Sequence, residues 1–441
     1  MKSNCNYQRT MSKNIIYLHP KPEPIAHYLR LGAFHRQVEK LLAAGRLPVE
    51  RVVVEASAFT RQMDVVGQLV VTGRELILDT NVAELSAVGR CGGAAKLAPW
   101  AHSDGPLLPE HFARGSNHDV IGKIARFAVE HGFHAVQAPT HLLEGATDTW
   151  FGIDRQACVD LRRTLDVVGG AAIAIDYPLT LRYCSLRDPA QRRVLIAGLM
   201  DLPFDNLWLR VSGFGADAEA PMLRRYIAAV IDFQQLGRPL VADGVGGLAA
   251  GAVVALGAAG GISHGLGEKE RFAADDWNKP PILRTGGGGR ERRLLVLGLD
   301  RLLSVKQVEL LMAADGGRRL LSCQDRACCP NGHNDTLKDP KGHYLHQRTK
   351  PLKRLSCVPE ARRVDDFLRC DLDPATRIAE TAAKLVLADT GTMEMLRRTN
   401  ERLARLGPVL RDLHATVGDG SHADAPARRA RPAPGARAAR R

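Results

Sequence analysis

Short aliphatic runs alternate with longer amphipathic stretches along most of this chain. Each short run is followed by a polar or glycine-rich break, and then by a stretch whose apolar residues recur every three or four positions. This alternation predicts repeated βα units that build a parallel sheet. The predicted strands are eight in number and begin near Arg51, Glu75, Ala94, His134, Ala171, Asn206, Arg238 and Gly260.

Eight such units within roughly 230 residues match the size of a (β/α)₈ TIM barrel, an α/β fold. We assign the barrel to residues 45–275, after an N-terminal extension over residues 1–44. The alternative is an open doubly wound sheet in which the run near Ala94, the least β-like of the eight, is a loop.

The composition changes after the predicted barrel, first to charged residues and then to glycines. We expect residues 276–373 to form an appended subdomain and residues 374–416 to form one or two long amphipathic helices. Residues 417–441 are predicted to be a disordered basic tail, because arginine, proline and alanine cannot bury enough apolar surface to order it.

The overall composition predicts a soluble cytoplasmic protein. No apolar stretch approaches the roughly 20 residues of a membrane span, and the first residues lack the apolar core of a secretory signal. The nine cysteines are an odd number, which favours reduced thiols. The net charge is +13, and six of the arginines lie within residues 428–441. Such a charge is compatible with binding to nucleic acid.

The ends of the predicted strands carry polar groups suited to catalysis. Catalytic side chains of barrel enzymes come from the carboxyl ends of strands, because these ends converge on one face. Carboxylates brought together there can shift one another's pKa values, so that one acts as a base or nucleophile and another as an acid. The candidate catalytic residues are Asp79, Asp176, Asp243 and His264.

Glycines follow the seventh and eighth predicted strands, in the two loops that most often bind phosphate in barrels. Backbone N–H groups and a helix N-terminus can face an anion there, although tight turns also need glycine. The candidate residues for a phosphate or nucleotide group are Gly244, Gly246, Gly247 and Gly265.

A cluster of cysteines and histidines follows the barrel, within SCQDRACCPNGHNDTLKDPKGHYLHQR. Zinc in structural sites takes four sulfur or imidazole ligands in a tetrahedron. We assign a structural zinc to Cys323, Cys328, Cys329 and His346, with His343 as the alternative histidine. A redox-active thiol pair or unrelated surface histidines are the other interpretations.

The arrangement resembles the tRNA-guanine transglycosylase family over roughly residues 45 to 350. The resemblance lies in a barrel with a Gly-Val-Gly turn at residues 244–246, a helix containing AAGAVVALG, and a three-cysteine segment followed by Tyr344, Leu345 and His346. It implies exchange of a guanine base for a 7-deazaguanine in tRNA or DNA. It also implies an aspartate nucleophile, a second carboxylate as acid and base, and a structural zinc.

These observations support three functional hypotheses. The first is an enzyme that acts on a nucleobase or nucleotide, with transglycosylase-like base exchange in tRNA or DNA as its specific form. The second is a barrel enzyme that binds a phosphate-bearing ligand such as a flavin or a nucleotide. The third is a non-catalytic scaffold for protein interactions. None of the three involves a membrane, and the oligomeric state is left open.

Overall fold

The computed structural model describes residues 24–267, 269–280, 291–417 and 423–430. A closed parallel barrel occupies the first two of these ranges. Its strands are β1 (Ala26–Arg30), β2 (Arg51–Glu55), β3 (Glu75–Asp79), β4 (Ala135–Gln137), β5 (Leu142–Leu143), β6 (Ala174–Arg182), β7 (Asn206–Ser212), β8 (Leu240–Asp243) and β9 (Gly261–Gly265). Strand β1 pairs with β9, which closes the barrel, and the short β5 continues the line of β4 along the upper part of β6. Counting β4 and β5 as one line, the barrel has the eight strands of the predicted fold.

Helices cover the outside of the barrel between the strands. They are α1 (His35–Ala43), α2 (Phe59–Val71), α3 (Val82–Leu85), α4 (Val120–Glu130), α5 (Thr149–Val167), α6 (Tyr183–Arg187), α7 (Pro189–Leu199), α8 (Ala220–Asp232) and α9 (Gly247–Ala255). Several are amphipathic and bury one face; in α4, for example, Ile124 and Ala128 are fully buried.

The chain after the barrel folds into a hairpin and a second group of helices. The hairpin consists of β10 (Arg293–Val296) and β11 (Arg301–Ser304), which pair antiparallel. The helices are α10 (Val305–Ala313), α11 (Gly317–Leu321), α12 (His333–Lys338), α13 (Pro340–Ser356), α14 (Glu360–Phe367), α15 (Asp373–Ala382) and α16 (Thr390–Val417). The predicted C-terminal helices are thus confirmed as α15 and α16. Across the described ranges, no helix is both long and apolar enough to cross a membrane.

The structure corrects one predicted strand and adds one that was not predicted. The run near Ala94 forms a short 3-10 turn, Gly93–Leu97, in the long connection between β3 and β4. Leu97 is 58% exposed, whereas a barrel strand is covered on both faces. The true first strand is β1, which lies upstream of residue 45 in the segment predicted as an extension. Its sequence, AHYLR, is too polar to show an aliphatic run.

The barrel interior has an apolar belt at mid-height. Side chains alternate in direction along a strand, so every second residue of each strand points inward. The belt consists of Ala26, Tyr28, Val53, Ile77, Ala135, Trp208 and Val241. Polar side chains lie on both sides of the belt, one group towards the carboxyl ends of the strands and one towards the amino ends.

The amino end of the barrel is closed by residues 423–430. The Arg429 guanidinium lies 2.9 Å from the Asp176 carboxylate and reaches the Glu75 carboxylate at 3.8 Å. Both carboxylates are almost completely buried. Arg51, which is paired with Glu75, also donates a hydrogen bond to the backbone carbonyl of Pro426. This part of the predicted disordered tail is therefore docked, because Arg429 pairs with the buried Asp176 and approaches Glu75.

We expect Arg429→Ala to lower the free energy of unfolding by about 3–5 kcal/mol, because it removes the cationic partner of the buried Asp176 carboxylate. Arg428→Ala is the matched control. Arg428 pairs with Glu50 at the surface, where both side chains are more than half exposed, and such pairs contribute about 0–1 kcal/mol. Urea denaturation of both variants measures the difference. Equal losses in the two variants would show that residues 423–430 do not dock as described.

Candidate functional site

Four charged side chains form a network at the carboxyl end of the barrel, which we call the mouth. Each lies two residues beyond a member of the apolar belt on its strand and therefore points inward. The four residues are Arg30 on β1, Asp79 on β3, Arg210 on β7 and Asp243 on β8. Strands that are distant in sequence thus deliver two arginines and two aspartates to one place.

Arg30 holds the two aspartates together. Its Nη1 lies 2.5 Å from Asp79 Oδ2, while its Nε and Nη2 donate to the two oxygens of Asp243 at 3.0 and 2.7 Å. Arg210 donates to the same pair, at 2.7 Å to Asp243 and 3.3 Å to Asp79. All four side chains are at most 8% exposed. The two carboxylates are therefore fixed in a common, nearly dry environment.

The arginines keep both aspartates ionised. Burial alone would raise the pKa of Asp243, but the guanidinium groups of Arg210 and Arg30 outweigh it and hold that pKa well below its usual range. Burial opposes ionisation of Asp79 in the same way, and Arg30 and Arg210 again lower its pKa. Both aspartates are thus ionised at neutral pH.

Glu84, on α3 directly after β3, behaves in the opposite way. Burial raises the pKa of its carboxyl group, and the negative charge of Asp79 raises it further. Its Oε2 is buried and has no hydrogen-bond partner among the described residues. The mouth therefore combines two carboxyl groups whose pKa values are lowered with one whose pKa is raised.

The sequence analysis predicted Asp79 and Asp243 as site residues. It missed Arg30 and Glu84, and it did not predict that Arg210 bonds to both aspartates. Arg30 was missed because its strand was not recognised. Glu84 was missed because it follows the strand end by five residues. The only signal for Glu84 in the sequence is its position on the short helix after Asp79.

Asp176 does not lie at the mouth. The aliphatic run predicts a strand that ends at Asp176, but β6 continues through Pro178 as far as Arg182. Asp176 therefore lies in the amino half of the strand, where it accepts hydrogen bonds from Asn206 and Arg429. The structure thus contradicts the prediction that Asp176 lies at the mouth. Asp176 instead forms an ion pair with Arg429 at the amino end of the barrel.

His264 lies on the outside of the barrel. Ser263 points inward next to Asp243 in register, so its neighbour His264 points outward. Its Nε2 is 3.1 Å from His27 Nε2, and the Tyr344 hydroxyl is 3.1 Å from its Nδ1. Burial lowers its pKa. The structure assigns His264 to the packing of α13 against the barrel rather than to the mouth.

The glycines predicted to bind phosphate contact carboxylates of the protein instead. The backbone N–H of Leu248, at the start of α9, donates to Asp300 at 3.1 Å. A Cβ on Gly247 would lie 2.5 Å from the same carboxylate, and a Cβ on Gly246 would collide with Glu270. Arg348 bridges Glu270 and Asp300, at 2.7 and 2.8 Å. The Asp300 carboxylate therefore lies at the start of α9, where the sequence analysis predicted a bound phosphate.

The other two glycines of that prediction lie at the mouth. Gly265 pairs in register with Arg30 at the end of β9. Gly244 follows β8 with a φ of +77°, which favours glycine. Neither lies beside an anion-binding group of α9.

A segment after β9, residues 269–280, crosses the mouth; we call it the strap. Phe272 accepts a hydrogen bond from Gly213 N at 2.9 Å, and Trp277 accepts one from Gly89 N at 2.6 Å. Trp277 and Ala274 pack with Ala83, Ala87 and Leu142 in a small apolar cluster. The strap thus runs from the loop after β7 to the loop after β3 and covers the charged network.

Cys323, Cys328, Cys329 and His343 form a second site, outside the barrel. One ligand atom from each lies within 4.8 Å of the others. Three sulfurs and one imidazole are a donor set that suits a structural zinc ion or another thiophilic metal. The predicted cluster is therefore present in the structure, with a fourth ligand that differs from the assigned one.

The surroundings of His343 favour metal binding. Its Nε2 lies 3.1 Å from the Leu295 carbonyl oxygen of β10, which leaves Nδ1 facing Cys328 and Cys329, each at 3.4 Å. Such a second hydrogen bond fixes the ring and frees the other nitrogen for a metal. Gln347 donates to Cys323 at 3.4 Å. The predicted ligand His346 instead contacts Asp325, at 3.1 Å, and is corrected to His343.

Comparisons with known proteins give little beyond the barrel. No family model matches the chain, and no curated protein matches it significantly. Solved structures that align with it include a type I 3-dehydroquinate dehydratase from Clostridium difficile, with 9% identity, 61% of this chain and 94% of that chain covered, and a TM-score of 0.35. A deoxyribose phosphate aldolase from Aeropyrum pernix has 15% identity, 54% and 84% coverage, and a TM-score of 0.33. A GH10 xylanase from Bispora has 10% identity, with 55% of this chain and 83% of that chain covered, and a TM-score of 0.37. Similarities this low carry no argument about substrate or reaction.

The lowered pKa values of Asp79 and Asp243 make the free energy of unfolding depend on pH. Because their pKa values are lowered by folding, they contribute stability above the unfolded value of about 3.9, and this is lost as the pH falls below it. Asp243→Asn removes one of the two groups. We expect its free energy of unfolding to fall less steeply between about pH 5 and pH 3 than that of the wild type. Denaturant titrations at each pH measure this, with the exposed Asp166→Asn as the control. Parallel slopes for the wild type and Asp243→Asn would contradict the charge assignment.

The histidine assignment is tested by comparing two alanine variants. We expect His343→Ala to lose a metal ion that copurifies with the wild type, and His346→Ala to retain about one ion per chain. Elemental analysis of protein dialysed against buffer without chelator provides the measurement. Loss of metal in His346→Ala but not in His343→Ala would restore the original ligand set.

Proposed function

We propose that this chain is a transglycosylase-like enzyme that exchanges a nucleobase in tRNA or DNA. The proposal rests on the opposite pKa shifts of the carboxyl groups at the mouth. Arginines lower the pKa values of Asp79 and Asp243, whereas burial and the charge of Asp79 raise the pKa of Glu84. Cleavage of a glycosidic bond uses one carboxylate of each kind.

Asp79 is the better nucleophile of the two aspartates. It is the last residue of β3 and is slightly exposed, whereas the Asp243 side chain is fully buried and both of its oxygens accept hydrogen bonds from arginine. Asp243 is a positioning residue, since it orients Arg30 and Arg210 around Asp79. Glu84 is the candidate acid and base.

The exchange proceeds in two balanced steps. An oxygen of Asp79 attacks C1′ of the nucleotide, the bond from C1′ to the base breaks, and the departing base takes the proton of Glu84. The incoming base then gives a proton to the Glu84 carboxylate and attacks C1′, which releases Asp79 from its ester. Nucleophile and acid are each regenerated, and no further reactant is needed.

Zinc at the Cys₃His site has a structural role in this proposal. Four protein ligands leave no open position for a substrate. The ion would join the loop around Cys328 to His343 on α13 and, through the Leu295 carbonyl, to the hairpin. Helix α13 also packs on the barrel through Tyr344 and Thr349. Zinc would thus supply a crosslink that holds the appended subdomain against the barrel.

Nucleic acid is the proposed partner because of the excess of positive charge. The net charge of +13 suits binding to phosphates through counterion release, which predicts that binding weakens steeply with salt. This property separates a polymeric substrate from a free nucleoside, whose binding has little salt dependence.

The proposal is tested by incorporation of radiolabelled guanine into unmodified tRNA and into duplex DNA, in separate reactions. We expect label to enter one of the two with the wild type and to be undetectable with Asp79→Asn, while salt-sensitive binding in a gel-shift assay persists. Glu84→Gln should lower the rate by about 10²–10⁴-fold and remove one limb of its pH profile.

Glu144→Gln serves as the matched control, because Glu144 is an exposed carboxylate at the rim that pairs with Arg182. It should exchange label at the wild-type rate. Unchanged exchange by Asp79→Asn would overturn the assignment of the nucleophile. No incorporation into either nucleic acid, together with no salt-sensitive binding, would overturn the function itself.

A further inference from the structure

An apolar cavity of about 360 Å³ lies in the appended subdomain, between the hairpin and helices α10, α11 and α13. Well-packed interiors contain few voids larger than a water molecule, whereas ligand pockets measure about 300–1,000 Å³. Within the described ranges, no phenylalanine, tyrosine or tryptophan lines this cavity. Its size is therefore that of a ligand pocket, and its walls suit an aliphatic chain. The aliphatic wall residues include Leu294, Leu295, Val296, Val308, Met312, Leu320, Leu321 and Ile378.

One side of the apolar cavity is polar, but most polar groups there already have partners. Lys350 donates to Asp325 at 2.7 Å, and Gln347 donates to Cys323 of the metal site at 3.4 Å. His333 differs from these residues, because its half-buried imidazole forms no hydrogen bond within the described part of the chain. A ligand in the cavity would therefore meet an imidazole that is free to bind it.

A second and more open space adjoins the apolar cavity, and we call it the basic cleft. It measures about 550 Å³ and lies between α11 and the start of α12. Ser322 and His333 line both spaces, so the two meet at these side chains. None of the residues that line the basic cleft is acidic. They are Ala314, Gly316, Arg318, Arg319, Ser322, Asn331, Gly332, His333 and Asn334.

Two exposed arginines give the basic cleft its positive charge. Across the described ranges, neither Arg318 nor Arg319 forms an ion pair. Burial and then the charge of Arg318 lower the pKa of His333, and Glu309 opposes them with a smaller effect. Arginine offers several donors in one plane, which suits a carboxylate or a phosphate. The cleft therefore has the charge and the donors that an anionic group requires.

We propose that the basic cleft and the apolar cavity together bind an aliphatic anion. Its charged group contacts Arg318 and Arg319, and its chain passes Ser322 and His333 into the apolar cavity. A fatty carboxylate and an alkyl phosphate share this chemistry. The site lies outside the barrel, and the inference does not depend on the proposed function.

The first test measures binding to the purified full-length chain by isothermal titration calorimetry, below micelle-forming concentrations. We expect decanoate to bind at least tenfold more tightly than hexanoate, because each buried methylene tightens binding about two- to fourfold. Decanoate should also bind at least tenfold more tightly than neutral 1-decanol, which lacks the charge. Decyl phosphate shows which anionic group is preferred. Equal affinities for hexanoate and decanoate, or no binding of either decyl anion at millimolar concentration, would overturn the inference.

The second test uses variants of the two spaces. The double variant Arg318→Ala and Arg319→Ala should bind decanoate at least tenfold more weakly and 1-decanol as the wild type does. Arg326→Ala is the matched control, because Arg326 is an exposed arginine that lines neither space. Met312→Phe narrows the cavity and should weaken both ligands, and thermal unfolding confirms that each variant is folded. Unchanged affinity for decanoate in the double variant would contradict the role of the basic cleft.

The third test locates the chain by photo-cross-linking with a decanoic acid that carries a diazirine on its last carbons. We expect the label in residues 291–298 and 305–313, which include the cavity walls of β10 and α10, and we expect excess decanoate to suppress it. Label confined to other peptides would contradict the assignment of the cavity. All three measurements report on the appended subdomain, so their failure would leave the exchange reaction at the mouth to be judged by its own assay.

Discussion

The buried ion network around Arg30 is the constraint on which the mouth depends. Two arginines and two aspartates are removed almost entirely from water, and their charges cancel. Burying any one of them alone would cost several kcal/mol, so each is stable only in the presence of its partners. Arg30 makes three of the contacts and comes from β1, the strand that closes the barrel against β9. The pairing of β1 with β9 thus also holds Arg30 at the mouth.

The sequence predicted the barrel well, and it predicted the site where the strands were apolar enough to recognise. Asp79 and Asp243 each follow a clear aliphatic run, and both reach the mouth. Arg30 could not be found in this way, because His27 and Arg30 interrupt AHYLR and leave no aliphatic run. Asp176 was misplaced because the aliphatic run ends there, whereas β6 runs on to Arg182. Polar residues within a strand interrupt its hydrophobic pattern, so that the strand or its end is missed.

The metal cluster shows a different limit. The density of cysteines and histidines was enough to predict the site, and all three cysteines converge in the structure. The choice between His343 and His346 depends on how α13 is rotated against the hairpin. His343 faces the Leu295 carbonyl and is buried, while His346 is turned towards Asp325 at the surface. Spacing along one helix does not contain that information, because it arises from tertiary packing.

Both ends of the barrel are closed by later parts of the chain, and the difference between the two closures indicates which end can admit a ligand. At the amino end Arg429 pairs with carboxylates that are almost fully buried, so its departure would leave uncompensated charge in the interior. At the mouth the strap contributes backbone hydrogen bonds, apolar packing and the ion pair of Glu270 with Arg348, while Arg30 and Arg210 neutralise the two aspartates without it. Opening the mouth therefore exposes a charge-balanced site. The polar groups of the barrel are divided accordingly, with those at the amino end serving stability and those beneath the strap free to serve binding and chemistry.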